Sequence, residues 1–243
     1  MNNLPIETKS LDDIQSRGES IIRIKPRVLD KVVGQILLPG QISVIHGTER
    51  FPLTAIAHVV AIGGVRKGNS AIYLDSGSNF SPQLARVLAD DNDGTLLNRI
   101  KVGEVFNLQN LMEFATEVRS VENISVVIID SLTGILNMSS PPGSKTRQRR
   151  LFAALEILRE LVIEINSHLF ITDHATKHWQ TGQHRPIGGN VIEHAVDSVL
   201  TLNTLDEIED AVSIRVERCS ITPNPGGVIV KISHKGIRSL KSV

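Results

Sequence analysis

Two residues in the stretch His46-Gly47-Thr48-Glu49-Arg50-Phe51-Pro52-Leu53-Thr54 stand where a phosphate-binding loop would need them. Such a loop reads G-x-x-x-x-G-K-[ST]: glycines let backbone N–H groups curl around phosphates, lysine neutralises them, and the hydroxyl ligates magnesium. Gly47 and Thr54 fit, and the apolar run 42–45 before them and the helical pattern 55–61 after them give the expected strand–loop–helix order. Pro52 replaces the second glycine, removing an N–H donor and fixing φ, and Leu53 replaces the lysine, setting an uncharged side chain against the phosphates. Both changes oppose triphosphate binding. Alone, two matches in four also describe an ordinary strand-to-helix turn.

Two carboxylates close apolar runs further on, Asp75 after 71–74 and Asp130 after 126–129. A carboxylate at the C-terminal end of a buried strand faces the place where magnesium and an attacking water sit in nucleotide hydrolysis. Gly47, Thr54, Asp75 and Asp130 are therefore the candidate remnants of a nucleotide pocket. No catalytic residue is expected among them, nor a bound cofactor, since ATP and magnesium lose most of their contacts.

Positive charge is concentrated locally. Lys145, Arg147, Arg149 and Arg150 put four cations in six residues, and Lys177, His178, His184 and Arg185 surround Trp179, the only tryptophan. Clustered cations can track a nucleic-acid backbone, and an aromatic on a basic loop can stack on a base. The same cations also suit a solvated helix start. Lys145, Arg147, Arg149, Arg150, Lys177, Trp179 and Arg185 are the DNA-binding candidates. His174, His178, His184 and His194 lack helix-based metal spacing, so no metal site is expected.

The elements that must position these groups follow from periodicity. Short apolar runs at 42–45, 71–74, 126–129, 169–172 and 199–202 read as buried strands separated by helical segments, the signature of a mostly parallel α/β sheet. In 147–166, Leu151, Leu155, Leu158, Val162 and Ile165 repeat at spacings of four and three, which predicts a helix packed on that sheet. After 202 the pattern becomes two strands, 212–221 and 228–233, joined by a Pro/Gly turn, so the chain closes in an antiparallel meander. Residues 139–145 form a Pro/Gly/Ser island that predicts a mobile loop, and 206–210 an acidic solvated turn.

The 243 residues suit one core domain, 21–243, with 1–20 as a polar arm holding at most one short helix. The 26 basic and 26 acidic residues cancel, which argues against a protein that coats nucleic acid by bulk charge. No apolar run reaches the ~18 residues of a membrane span, and the N-terminus is too charged for a signal peptide, so a soluble, cytoplasmic protein is expected. Cys219, the single cysteine, is expected to pack as an ordinary small side chain.

The segments 71–82 and Arg185-Pro186-Ile187-Gly188-Gly189-Asn190-Val191-Ile192-Glu193-His194-Ala195 carry a closer likeness. With Leu29-Asp30-Lys31-Val32-Val33-Gly34, they make the chain resemble the RadA branch of the RecA family, the strand-exchange recombinases and their paralogs. The resemblance implies a RecA-like core, with loops at 137–146 and 175–184 facing DNA and with Arg147 and Gln148 opening the helix that follows the first loop. It also implies losses. The family's catalytic acid corresponds to Thr48, and its γ-phosphate-sensing Asn-Gln pair to Asp173-His174. The chain is expected to lack the N-terminal helix-hairpin-helix domain, and no Phe-x-x-Ala polymerisation motif is read in 1–28.

The expectation is a core-only paralog of the archaeal RadA type, a pseudo-ATPase that assists recombination and DNA repair by binding single-stranded DNA weakly or a recombinase or fellow paralog. Two alternatives stand beside it. Gly47, Thr54 and Asp130 could retain slow ATPase activity with Arg50 standing in for lysine, or the chain could be a KaiC-like structural subunit with no DNA role.

Overall fold

The computed structural model describes residues 22–66, 68–90, 94–139, 144–177, 184–220 and 226–240. After a short helix α1 (Arg27–Asp30), strand β1 (Ile42–Gly47) is buried along its length. Helix α2 (Arg50–Val65) is followed by β2 (Ser70–Asp75), α3 (Pro82–Ala89), β3 (Ile100–Glu104), α4 (Leu108–Glu117) and β4 (Ile124–Asp130). Then come α5 (Leu132–Ser139), α6 (Lys145–Glu164), β5 (His168–Lys177), β6 (His184–Pro186), α7 (Gly189–Ala195), β7 (Ser198–Thr204), β8 (Ala211–Cys219), β9 (Gly227–Ser233) and β10 (Gly236–Ser239).

The sheet runs β10-β9-β8-β7-β1-β5-β4-β2-β3, with β6 paired to β5. The five strands expected from apolar runs all form. The pairs among β7, β1, β5, β4, β2 and β3 are parallel, and β8, β9 and β10 are added antiparallel. The fold is α/β with a mostly parallel central sheet and an antiparallel end.

Continuous apolar runs reflect a sheet covered on both faces. On one face α2 and α3 pack with Ile45, Tyr73, Ile128 and Phe170; on the other, α4 to α7 pack with Val44, Val127, Ile129 and Ile171. Adjacent glycines bring α2 close in. A Cβ on Gly64 would lie 2.6 Å from Val126 Cγ1, and one on Gly63 2.7 Å from the Arg23 carbonyl.

Several details differ from the sequence expectation. The helix expected from 55 starts at Arg50. Of the 139–145 island expected to be a mobile loop, residues 140–143 lie outside the described residues, while α5 reaches Ser139 and α6 starts at Lys145. The second loop is shortened by β5, which continues to Lys177, and by β6. Edge strand β3 has no apolar run of its own, since Lys101, Val102 and Glu104 are exposed. The arm 1–20 lies outside the described residues. Among the described residues, no helix is long and apolar enough to cross a membrane.

Candidate functional site

Only Thr48 and Glu49 separate β1 from α2. The helix starts on the extended Glu49, whose side chain makes no cap, and takes up 50–53, the residues that would have formed the phosphate cradle. Pro52 suits this start, because the first helical turn has no internal acceptor for its N–H groups and loses nothing when one is missing. Leu53 is 2% exposed and belongs to the core. Gly47 has a reason of its own: a Cβ there would lie 2.6 Å from the Leu202 carbonyl oxygen of β7. The neighbouring strand requires that glycine.

Thr54 and Asp130 do come together. Thr54 Oγ1 donates to Asp130 Oδ2 across 2.9 Å, Thr172 Oγ1 donates to Oδ1 across 2.6 Å, and Tyr73 Oη donates to Oδ2. The carboxylate is 2% exposed and holds three hydroxyl donors. A buried carboxylate needs such partners because removal from water is costly. Burial, reinforced by the Asp130 charge, pushes the Tyr73 hydroxyl well above its usual pKa.

A ring cluster missing from the sequence expectation supports this knot. His58 stacks on Phe80 with centroids 4.8 Å apart, and Tyr73 meets both edge-on. His58 Nε2 accepts from the Ser81 N–H at 3.1 Å while Nδ1 faces the Thr54 carbonyl at 2.8 Å, an arrangement that fits the neutral Nδ1–H tautomer. Burial lowers its pKa in the same sense.

Asp75 turns to its own loop. Its oxygens accept from the N–H groups of Gly77, Asn79 and Phe80, each at 2.9 Å. Arg50 is likewise engaged, donating to Asn79 Oδ1 and to the Gly77 carbonyl. Beside these groups opens a cleft of about 600 Å³, walled by Arg50, Phe51, Asn79, Leu84, Val87 and His234.

The basic candidates separate. Arg147 is 6% exposed, whereas Lys145, Arg149 and Arg150 are exposed, so the four cations do not form one surface patch. Helical periodicity explains it: Arg147 lies one turn before Leu151 on the buried stripe. Its Nη2 has no hydrogen-bond partner among the described residues, and it lines a second cleft of about 380 Å³ with Asn137, Gln148, Thr176 and Gly188. Arg185, on β6, is exposed. The Lys177 side chain and Trp179 lie outside the described residues.

Asp173 joins the bases of both loops. It is fully buried and accepts from Thr133 Oγ1 of α5 and, at 3.0 Å, from the Gly188 N–H beyond the second loop. The His174 N–H donates to the same Thr133 oxygen at 2.9 Å. Burial raises the Asp173 pKa. Across the strand ends His46 Nε2 lies 3.7 Å from Glu217 Oε2, and that ring holds the Glu217 carboxyl below its usual range.

A family model described as Rad51 matches residues 17–238. The chain is 25% identical over 224 residues to the DNA repair protein RAD51 homolog 1 of Arabidopsis thaliana, an alignment covering 82% of this chain and 65% of that protein. It is 25% identical over 178 residues to the DNA repair and recombination protein RadB of Methanococcoides burtonii, covering 72% of this chain and 79% of that one. A crystal structure of the RadB recombinase superposes with a TM-score of 0.73 at 17% identity, covering 91% of this chain and all of the other, a likeness of fold. The chain thus spans about two thirds of the RAD51 homolog's length. With the family model spanning nearly the whole sequence and the sheet order in agreement with a RecA-like core, the chain belongs to the Rad51 family.

Proposed function

We propose that this chain is a non-catalytic paralog of the RadA type, acting in the cytoplasm as an accessory to homologous recombination and DNA repair. It binds single-stranded DNA, a recombinase or fellow paralog, or both. The observation that carries the reading is the start of α2 at Arg50. A phosphate cradle needs consecutive N–H groups curving around the anion. Here a helical turn containing a proline fills that space, the lysine position is a core leucine, and the two magnesium-site candidates bond to each other.

The DNA half of the reading rests on Arg147. A buried guanidinium with an unpartnered N–H is costly to keep, and a phosphate oxygen in its cleft would satisfy it. Asp173 bonds to Thr133 and to the Gly188 N–H, tying together the segments on either side of that cleft.

Calorimetric titration of the full chain with Mg-ATP, and an ATPase assay with single-stranded DNA, test the first half. No heat of binding and no turnover are expected. A Kd in the low micromolar range, or DNA-stimulated hydrolysis abolished by Asp130→Ala, would establish the slow-ATPase alternative instead. For the second half, fluorescence anisotropy with a labelled oligonucleotide should show weak, salt-sensitive binding that Arg147→Ala reduces about tenfold. Absence of any DNA binding would leave the protein partner as its function.

A further inference from the structure

The cleft beside α2 differs in character from the buried polar knot beneath it. Phe51 and Val87 are 39% and 47% exposed there, and Leu84 closes the floor. The Phe51 ring leans on His234 with centroids 5.6 Å apart. Polar groups at the mouth are already committed, Arg50 to Asn79 and Gly77, and Asn79 Nδ2 to the Asp130 carbonyl at 2.8 Å. Most of the open lining is apolar, with Ser78, Gln83 and His234 at its edge, in a concave site of the size that holds a small ligand or a large side chain.

The charges around it are one-sided. The wall segments 49–54, 77–87 and 233–237 carry Arg50, Arg86 and Lys235 against a single carboxylate, Glu49, with exposed His234 beside Lys235. An apolar floor beneath a cationic rim fits an aromatic or aliphatic anchor flanked by carboxylates, because the anchor gains burial while the flanking acids meet complementary potential at the rim.

We propose that this cleft docks an acidic segment of a partner protein, inserting one large apolar side chain between Phe51, Leu84 and Val87. The proposal rests on the reading that nucleotide does not occupy this end of the sheet. It assigns the partner's chemistry, a short acidic stretch around a Phe or Leu, and separates partner docking from the Arg147 cleft, which is built from other elements.

The test is fluorescence anisotropy of the full chain with short labelled peptides. Their central residue is Phe, Leu or Ala, and their flanks are Asp/Glu or Lys/Arg. Acidic peptides with a central Phe or Leu should bind best, and the Ala-centred and basic-flanked forms about tenfold more weakly. Val87→Asp and Phe51→Asp, surface changes that should leave the melting temperature within a few degrees of wild type, should each weaken the acidic peptides about tenfold while leaving oligonucleotide binding unchanged. Equal binding of acidic and basic peptides, no binding of either, or indifference to Val87→Asp would overturn the proposal. Mg-ATP provides the separate arm. ATP that displaces the peptide and itself binds at low micromolar Kd would overturn both this proposal and the pseudo-ATPase reading. No ATP binding together with no peptide binding would sink the docking proposal alone.

Discussion

The hydroxyl of Thr54 donates to Asp130 Oδ2 across 2.9 Å, and with Thr172 and Tyr73 it makes that carboxylate a structural centre. Asp130→Ala leaves three buried hydroxyls without their acceptor, each costing about 1–3 kcal/mol. Because the surroundings relax, a total loss of about 3–5 kcal/mol is expected in urea denaturation of the full chain. Asp130→Asn keeps one acceptor oxygen and should cost about half as much. An Asp130→Ala variant as stable as wild type would show that these hydroxyls find other partners.

Restoring the consensus should not restore the site. Leu53 is a core residue, so Pro52→Gly with Leu53→Lys buries an ammonium among apolar side chains. The double variant should melt lower, with about 3 kcal/mol lost, and still give no heat with Mg-ATP. Recovery of ATP binding would mean that the first turn of α2 readily unwinds into a loop.

His168 should make the protein acid-sensitive. Its ring is fully buried, Nδ1 is 2.8 Å from the Leu38 carbonyl, and burial lowers its pKa to about 4. The unfolded chain takes up a proton near pH 6.5, whereas the folded chain resists until about 4. The stability from keeping this ring neutral is therefore complete above pH 6.5 and is lost as pH falls toward 4, by about 3 kcal/mol at most. Denaturation series between pH 7 and 4 should show the decline, and His168→Gln should flatten it. A wild-type chain equally stable at both ends of that range would contradict the assignment.

Arg147 predicts a trade between stability and binding. Arg147→Met keeps the aliphatic stem and removes a buried guanidinium whose Nη2 has no hydrogen-bond partner among the described residues, so the free protein should gain about 1 kcal/mol while its oligonucleotide affinity falls. Arg149→Ala, a change on the exposed face, should leave stability unchanged and reduce affinity only slightly. Equal effects of the two substitutions would show that bulk charge, not the cleft, attracts DNA.

The central strands were legible because each is a predominantly apolar run, broken only by small hydroxyl residues such as Ser43 and Thr201, with both faces covered. β3 was not, because an edge strand with exposed Lys101 and Glu104 carries no such run. The departure of Pro52 and Leu53 from a phosphate-loop pattern was legible in the sequence, but their shape was not, since matching residues to a loop pattern hid the helix that begins at Arg50. The burial of Arg147 had a signal in the sequence: its spacing to Leu151, Leu155 and Leu158 places it on the apolar stripe. The partnership of Tyr73 and Thr172 with Asp130 had none, because it joins three strands and can be read only from their register.

An energy-coupled protein carries at its nucleotide site a segment whose order depends on the ligand bound there. In this chain the corresponding residues, 50–53, form the first turn of α2. On the proposed reading, the surface beside it keeps one shape at any ratio of ATP to ADP.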